Sequence, residues 1–575
     1  MNFVIDEFLD CDVLVVGGGL AGCLAAITAR MNGAEKVILV DKSRVARSGQ
    51  STFAAGIWAL KFDEDDIDDW VEETIVSGDY LSDQEWVKLL WERDLAVAKD
   101  VDNWCSESGR QVFERASDGT LMRRKSRGHN RTSHGVINSM PMMEGLRAKA
   151  EDLGVEVVDR VMITDVLALD GECFGAVGLS YWTGKSCLIK ARATVLASAG
   201  SGFKSIFVGH RNLTGDLQAG AYRAGVILRN MENISHNTCA THYDIHGLNL
   251  YVSVGGKWLN ALGEEFMWEY DPVLGNRANQ PTKCIALARE VHEGRGPIMF
   301  DLSAATPEER ALCRKILPET FRVWDAANID PFEQRIEWTT SFYGTIINGG
   351  GIHIDTRCAT NVGGLYAAGD ITCIPPHGGY SFGGVNIAFC AVSGAVAGES
   401  AAALLSAGRG VKADEWTING LGARSVAEAV RPLVQGGDTS PDEVIASIQQ
   451  AIIPYRVSLI KTRSTLEEAL GQIEEVKARA GRMKAKDLHD LVKANEAKNM
   501  ATIAELMLRA ALMRKESRGF HFREDYPLVD NKEWLKWIMV QQDGKAVRLW
   551  TEDVPLPYVK PTQDYQRHRS LRQKV

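Results

Sequence analysis

DVLVVGGGLAGCLAAITARMNGAEKVILVDKSRVARSGQSTFAAG, residues 12–56, reads as strand, glycine turn, helix, second strand and a further glycine-containing segment. Val13 to Val16 is a largely β-branched run of the kind buried in a parallel sheet. Gly17, Gly19 and Gly22 give G-x-G-x-x-G at the turn into an alanine-rich helix. The first glycine permits a tight turn, the second lets a pyrophosphate approach the backbone, and the third lets helix pack on strand. The helix N-terminus would face the phosphates with its free N–H groups and the positive end of its dipole. Val37 to Val40 predicts the next strand, with Asp41 at its tip to bond a ribose hydroxyl. Glycine turns are common, so the motif alone is weak. Here strand, helix, second strand and terminal acid all fall at the spacing of a dinucleotide site.

At 575 residues the chain exceeds a single core and predicts two or more domains. Its 45% hydrophobic and 24% charged content is that of an ordinary globular protein. A net charge of −10 argues against a nucleic-acid partner and against a polybasic membrane anchor. The eleven cysteines never form C-x-x-C or a zinc-type pattern with histidine. That speaks against an iron–sulfur cluster, a structural zinc or a redox dithiol within the chain. Scattered thiols suit a reducing compartment. MNFVIDEFLDCDVLVV at the N-terminus carries acids where a signal peptide carries bases. No apolar run of membrane-spanning length is expected, so the chain reads as soluble and cytoplasmic.

Further along, Trp70 to Trp104 has helical apolar spacing, and Gly154 to Leu169 and Phe174 to Leu188 alternate like antiparallel strands. Ala193 to Gly202 reads as another buried strand, followed by Thr214-Gly215-Asp216 and a helix through Gly225. His236 to about Arg335, rich in His, Asn, Tyr, Trp and Pro, has the texture of an insertion. From Gly350 the nucleotide-type pattern resumes, and Gly408-Arg409-Gly410 suggests a linker. Pro441 to Lys515 predicts amphipathic helices, with Leu466, Leu470 and Ile473 on one face. The segment from Phe520 is rich in Trp, Tyr and Pro and is expected to pack across the other parts.

GGGLAG (17–22), VILVDKS (37–43), RSGQSTFAAG (47–56), GLYAAGD (364–370), HGGYSFGGVNIA (377–388) and RKESRGFHFREDYP (514–527) stand in order. On these motifs the chain resembles the flavoprotein subunits of the fumarate reductase/succinate dehydrogenase superfamily, which includes L-aspartate oxidase and the adenylylsulfate reductase α subunit. GLYAAGD by itself would read as a plain buried strand and turn. The resemblance implies an α/β fold: a Rossmann-like FAD-binding domain in two parts (1–235 and 341–408) with an inserted capping domain (236–340). A helical domain (409–519) and a C-terminal segment (520–575) follow. It places Gly17, Gly19 and Gly22 on the FAD pyrophosphate, Asp41 on the adenosine ribose and Asp370 on the ribityl chain. The helix near Gly383 and Gly384 would aim its N-terminus at the flavin pyrimidine edge. The wider implied cofactor set is Leu20, Ala21, Lys42, Ser48, Gly49, Gln50, Ala55, Gly56, Ala199, Gly200, Asp216, Gly369, Asn386 and Ile387. Arg47-Ser48-Gly49, Asn260-Ala261-Leu262-Gly263-Glu264-Glu265-Phe266 and Gly296-Pro297-Ile298 with Asp301 tilt the resemblance toward the adenylylsulfate reductase branch.

The departures bear on chemistry. Where histidyl-flavin members carry His after Arg-Ser, this chain has Gly49, so FAD is expected to be non-covalent. The family's substrate-clamping Arg is replaced by Ser381, and its assisting His position falls near Ile346 in Thr345-Ile346-Ile347-Asn348. Counting thirteen residues back from Glu293-Gly294-Arg295-Gly296 replaces the shuttling Arg by Gln280. A dicarboxylate needs paired guanidinium forks, so succinate and fumarate are not the expected substrates.

Candidates for the remaining chemistry are His236, Asn237, His242 and Tyr243, which follow Met231-Glu232, together with Tyr380, Asn348, Lys283 and His377. His236 and His242 could equally be loop or satisfied core residues, Tyr380 a packing ring on the flavin, and Lys283 a solvated cation. His129 and Arg131 could bind an anion or ride the surface. His377, inside a family motif, ranks first. The expected activity is hydride transfer between flavin N5 and a small substrate, with a small ferredoxin-like iron–sulfur subunit handling single electrons. The alternatives are an adenylylsulfate reductase-like subunit, an enoate- or fumarate-type reductase whose acid is replaced by Tyr or Lys, and a flavin electron-transfer module without a substrate. An oxidase using oxygen is the competing electron outlet.

Overall fold

The computed structural model describes residues 5–54, 56–125, 131–206, 209–243, 245, 248–347, 349–380, 382–408 and 413–561. At its centre the strand Glu7–Val16 lies parallel to Val37–Asp41 on one side and Ser186–Leu196 on the other. The β-branched run predicted from sequence is the inner half of the first strand. Val13 to Val16 are 0–4% exposed and Val37 to Val40 are fully buried. Glu156–Asp159 extends the parallel edge beyond Val37–Asp41. Val161–Leu169 and Glu172–Ser180 continue beyond Ser186–Leu196 as antiparallel strands. Leu365–Ala367 returns to pair in parallel with Ser186–Leu196.

Phe174 to Leu188 is not one strand, because the chain turns at 181–185. The run from Ala193 is the end of Ser186–Leu196 rather than a new element. Similarly, Trp70 to Trp104 divides into the helices Ile67–Ser77 and Gln84–Glu107. Asp66 and Asp83 cap these helices by accepting from backbone N–H groups.

Leu20–Met31 packs against Val385–Ser406, where a Cβ on Gly394 would lie 2.4 Å from the Ala21 carbonyl oxygen. Val385–Ser406 corrects one expectation. Its 22 residues are long and apolar enough to cross a membrane, yet 67% of its apolar window is buried against the rest of the protein. Its apolarity is that of a core helix. It is the one such helix among the described residues.

Between 235 and 344 the antiparallel strands Lys257–Leu259, Ile298–Asp301, Ile336–Gly344 and Ser235–Ala240 form a separate sheet. Its own core includes Trp258, Phe300, Trp324 and Trp338. The C-terminal helices include Pro441–Ile452, Arg463–Ala480 and Leu488–Met513. Leu466 and Ile473 are buried and Leu470 partly so, as the spacing predicts. Gly408 ends a helix with φ +71°, whereas Arg409 and Gly410 lie outside the described residues. The C-terminal segment crosses the other parts: Lys536–Asp543 pairs with Leu228–Arg229 and with Ala546–Asp553, and Leu228–Arg229 also pairs with Gly351–Ile352.

Candidate active site

A cleft opens at the carboxyl ends of Glu7–Val16, Val37–Asp41 and Ser186–Leu196, as expected for a sheet whose connections diverge there. One half is lined by Gly17 to Ala21, Asp41, Lys42, Ser48 to Ser51, Met162, Ile163, Ala199, Asp216 and Asp370. The other is lined by His236, Asn237, Gln280, Tyr343, Tyr380, Phe382 to Gly384, Asn386 and Ile387. Gln50, Ser51, Asp370 and Cys390 line both halves, so the two are continuous.

In the first half Gly17 has φ +114°, and a Cβ there would lie 2.3 Å from the Ala197 carbonyl oxygen. Only glycine admits that turn. Asp41 accepts from the Gly18 N–H at 2.7 Å on one oxygen. Its other oxygen accepts from the Ser43 N–H at 2.6 Å and the Ser48 hydroxyl at 3.3 Å. Burial pushes the Asp41 carboxyl up despite these donors. A carboxylate has about four lone-pair sites, which leaves room for a ribose hydroxyl.

Leu20–Met31 begins here with no acidic residue in its first turn, and its first N–H donates to Ser51 Oγ at 3.1 Å. The glycine cradle and the helix end together suit an anionic pyrophosphate. Lys42 reaches Asp216 at 2.8 Å and Glu496 at 2.7 Å. Burial works against its charge, but the two carboxylates outweigh that and hold the ammonium above its usual range.

Four of the predicted cofactor glycines shape the cleft rather than line it. A Cβ on Gly22, Gly56, Gly200 or Gly369 would meet the Gly17 oxygen at 1.8 Å, Ile316 at 2.3 Å, the Thr345 oxygen at 2.6 Å or Ala21 at 2.9 Å. Ala55 lies outside the described residues, as do His129, Asn348 and Ser381.

In the second half, Val385–Ser406 starts at the cleft with Gly384 as its N-cap and no side-chain cap. Asn386 Nδ2 donates to Asp370 at 3.0 Å and to the Ile347 carbonyl at 2.8 Å. Its Oδ1 faces His377 Nε2 at 2.5 Å, which fixes the ring proton there as the donor. His377 therefore stands behind Asn386 and positions it. Burial raises Asp370 to about 6 and lowers His377 to about 4.

Across the cleft, Gln280 Nε2 donates to Asn237 Oδ1, and Asn237 Nδ2 donates to the Tyr343 hydroxyl at 2.8 Å. Tyr343 packs edge-on against His210, ring centroids 4.4 Å apart, and His210 Nε2 meets Gln50 Nε2 at 2.9 Å.

His236 lines this half, but both its ring nitrogens are engaged, Nδ1 with the Ile234 carbonyl and Nε2 with Ser458 Oγ, each at 3.1 Å. Burial, with a further push from Lys461, lowers it to about 3. It is a neutral structural ring. Unfolded, such a histidine titrates near 6.5. Below that pH the unfolded chain binds the extra proton, so stability is full above about pH 6.5 and is lost as pH falls toward the folded value. His236→Gln should flatten the acid limb of stability by about 1.4 kcal/mol per pH unit. An unchanged slope in urea melts between pH 6 and 4 would show that His236 is not buried neutral.

The remaining candidates divide. Tyr380 lines the cleft, stacked near His377 at 6.0 Å. The structure does not bring His242, Tyr243 or Lys283 there. His242 lies past the end of Ser235–Ala240, is 71% exposed and faces Glu337 at 3.6 Å. Tyr243 packs on Trp324, and Lys283 is fully buried over the Trp258 ring. Arg131 rides the surface between Asp69 and Glu72. Tyr343, His210 and Cys390 escaped the sequence reading. They sit in no motif, and only the strand pairing of Ile336–Gly344 with Ser235–Ala240 brings Tyr343 beside Asn237.

Residues 12–387 match the FAD binding domain family, and 449–566 match the fumarate reductase flavoprotein C-terminal family. The chain is 29% identical to one subunit of the fumarate reductase (CoM/CoB) of Methanothermobacter marburgensis, over 93% of this chain and 98% of that one. Its fold superposes on a quinol fumarate reductase of E. coli with a TM-score of 0.86 at 23% identity, covering 98% and 99% of the two chains. It superposes on adenylylsulfate reductase of Archaeoglobus fulgidus with 0.78 at 20%, covering 96% of each. The glycine cradle, the helix ends and these matches make the chain an FAD-dependent oxidoreductase, a flavoprotein subunit of the fumarate reductase/succinate dehydrogenase superfamily.

Proposed function

We propose that the second half of the cleft takes a small, neutral substrate, not succinate or fumarate, and that a small iron–sulfur protein carries the single electrons. One observation carries this reading. Among the described residues lining that half there is no Lys or Arg, and Asp370 is the one carboxylate. Its polar wall is made of amides, hydroxyls and a neutral imidazole, which suit a carbonyl or hydroxyl oxygen rather than two carboxylates.

Bound FAD supplies hydride exchange at N5. The chain's own residues then hold and shield. Gly17, Gly19 and the start of Leu20–Met31 take the pyrophosphate, Asp41 the ribose and Asp370 the ribityl hydroxyls. Asn386, pinned by His377 and Asp370, presents a fixed amide beside the uncapped N-terminus of Val385–Ser406, where a developing negative charge is stabilised. Phe382, Ile57 and Ile387 keep that half apolar around its few polar groups. The iron–sulfur partner is supported by the eleven dispersed cysteines, of which ten are buried as single thiols.

FAD should leave non-covalently, because Gly49 offers no nucleophile. Acid precipitation is expected to release yellow FAD into the supernatant, and flavin retained in the pellet would exclude this. Dithionite-reduced protein, mixed anaerobically with fumarate, enoates, ketones and adenylylsulfate, tests the substrate. Multiple turnovers with fumarate would refute the neutral-substrate reading. Native purification tests the partner, since an iron-free chain that is reoxidised rapidly by air with peroxide formation would argue for an oxidase.

A further inference from the structure

A second cavity lies against the far side of the short helix Ser51–Phe53. Ser51 and Gln50 face the cofactor cleft, whereas Thr52 and Phe53 face this cavity, and Ala54 lines both. Its volume is about 390 Å³, against about 110 Å³ for each half of the cleft. Space on that scale matches a ligand pocket rather than a packing defect.

The cavity forms between two parts of the chain. Phe53 and Met140 contribute one wall, and Ile245, Leu317 and Val323 the other. The polar groups around it are engaged: the Ser139 hydroxyl donates to the Ala54 carbonyl at 3.3 Å, and the partly exposed Glu319 pairs with Arg322. Lys315 bonds Glu114 at 2.5 Å, Asn138 bonds the other Glu114 oxygen at 2.8 Å, and the Thr52 hydroxyl turns to the Ala46 carbonyl at 3.3 Å. An ionic or hydroxyl-rich ligand entering here would lose its hydration without replacement. An apolar chain would gain by leaving water.

We propose that this cavity receives an apolar tail of the substrate, which passes Ala54 from the neutral half of the cleft. The substrate class is then a neutral polar head on an alkyl or aryl tail. This rests on the neutral-substrate reading above, which supplies the head group.

The test titrates FAD-loaded protein with straight-chain amides from propanamide to octanamide, reading calorimetric Kd and the flavin absorbance together. In the native chain Kd should tighten about fourfold per added methylene, the transfer preference of one CH2. Val323→Trp fills the cavity from its partly exposed side and should abolish that dependence while leaving propanamide binding unchanged. Ala54→Trp, at the residue shared by the cleft and the cavity, should also flatten the dependence on chain length among the longer amides. A Kd independent of chain length in the native chain, or a slope that survives both substitutions, would overturn the proposal. A slope that disappears in Val323→Trp, without any flavin perturbation by the native complexes, would keep the tail site and refute the neutral head-group reading.

Discussion

Gly22→Val should emerge from purification colourless, with FAD affinity lowered about a hundredfold, equivalent to about 2.7 kcal/mol and within the usual cost of overpacking. The reason is geometric. A Cβ at this position would stand 1.8 Å from the Gly17 carbonyl oxygen, a backbone atom of the very turn that cradles the pyrophosphate. The helix Leu20–Met31 must then move off the strand Glu7–Val16, carrying its N–H groups away from the cleft. Gly471→Ala is the matched control. It lies in the exposed face of Arg463–Ala480 with no atom within 4 Å of the added Cβ. It should keep its FAD and gain up to about 1 kcal/mol of helix stability. Equal flavin content in the two purified variants would sink the assignment of Gly22 as a close-approach residue.

The second large effect is at Arg514. Its guanidinium bonds Glu232 and Glu516, each at 2.8 Å, and the carbonyls of Trp534 and Lys536. Arg518 adds two bonds to the same Glu516 and one to the Asp79 carbonyl. All four side chains are 0–1% exposed. Arg514→Met strands Glu232 in a dry interior, while Glu516 keeps Arg518, a change that typically costs about 3–5 kcal/mol. Arg514→Lys should recover little, because one ammonium cannot span four acceptors placed for a planar fork. Replacing Glu232 and Arg514 together should be milder than Arg514→Met alone, since burial cost rather than attraction dominates such pairs. Urea midpoints for the three variants give the order directly. A Met variant as stable as the native chain would mean that water reaches the cluster.

Much of the architecture could be read from local pattern. The run Val13 to Val16, the glycine turn and the tip at Asp41 are consecutive in sequence, and their periodicity reports the parallel strands and helix they form. Leu466, Leu470 and Ile473 likewise reveal one helix face. What escaped was non-local. Nothing in the sequence near Leu228 signals that it pairs with Val540, and no spacing separates Phe174–Leu188 into two strands. The site divides the same way. The glycines, Asp41, Asp370 and Asn386 belong to contiguous motifs. His242 and Tyr243 are close to His236 in sequence, yet the strand ends at Ala240 and the chain turns away. Lys283 follows Gln280 on one helix, but only Gln280, at its first turn, meets the cleft. Tyr343 reaches it through tertiary packing alone, with His210 buried behind it.

The sheet that joins Leu228–Arg229, Gly351–Ile352, Lys536–Asp543 and Ala546–Asp553 sets the timing of biosynthesis. Its third strand is made some three hundred residues after its first. Glu496, which anchors Lys42 beside the cofactor cleft, is likewise more than four hundred and fifty residues downstream of its partner. On the ribosome, the N-terminal nucleotide unit therefore waits with its cleft incomplete until almost the whole polypeptide has emerged. A chain truncated before Glu496 lacks the carboxylate that anchors Lys42 beside the cleft.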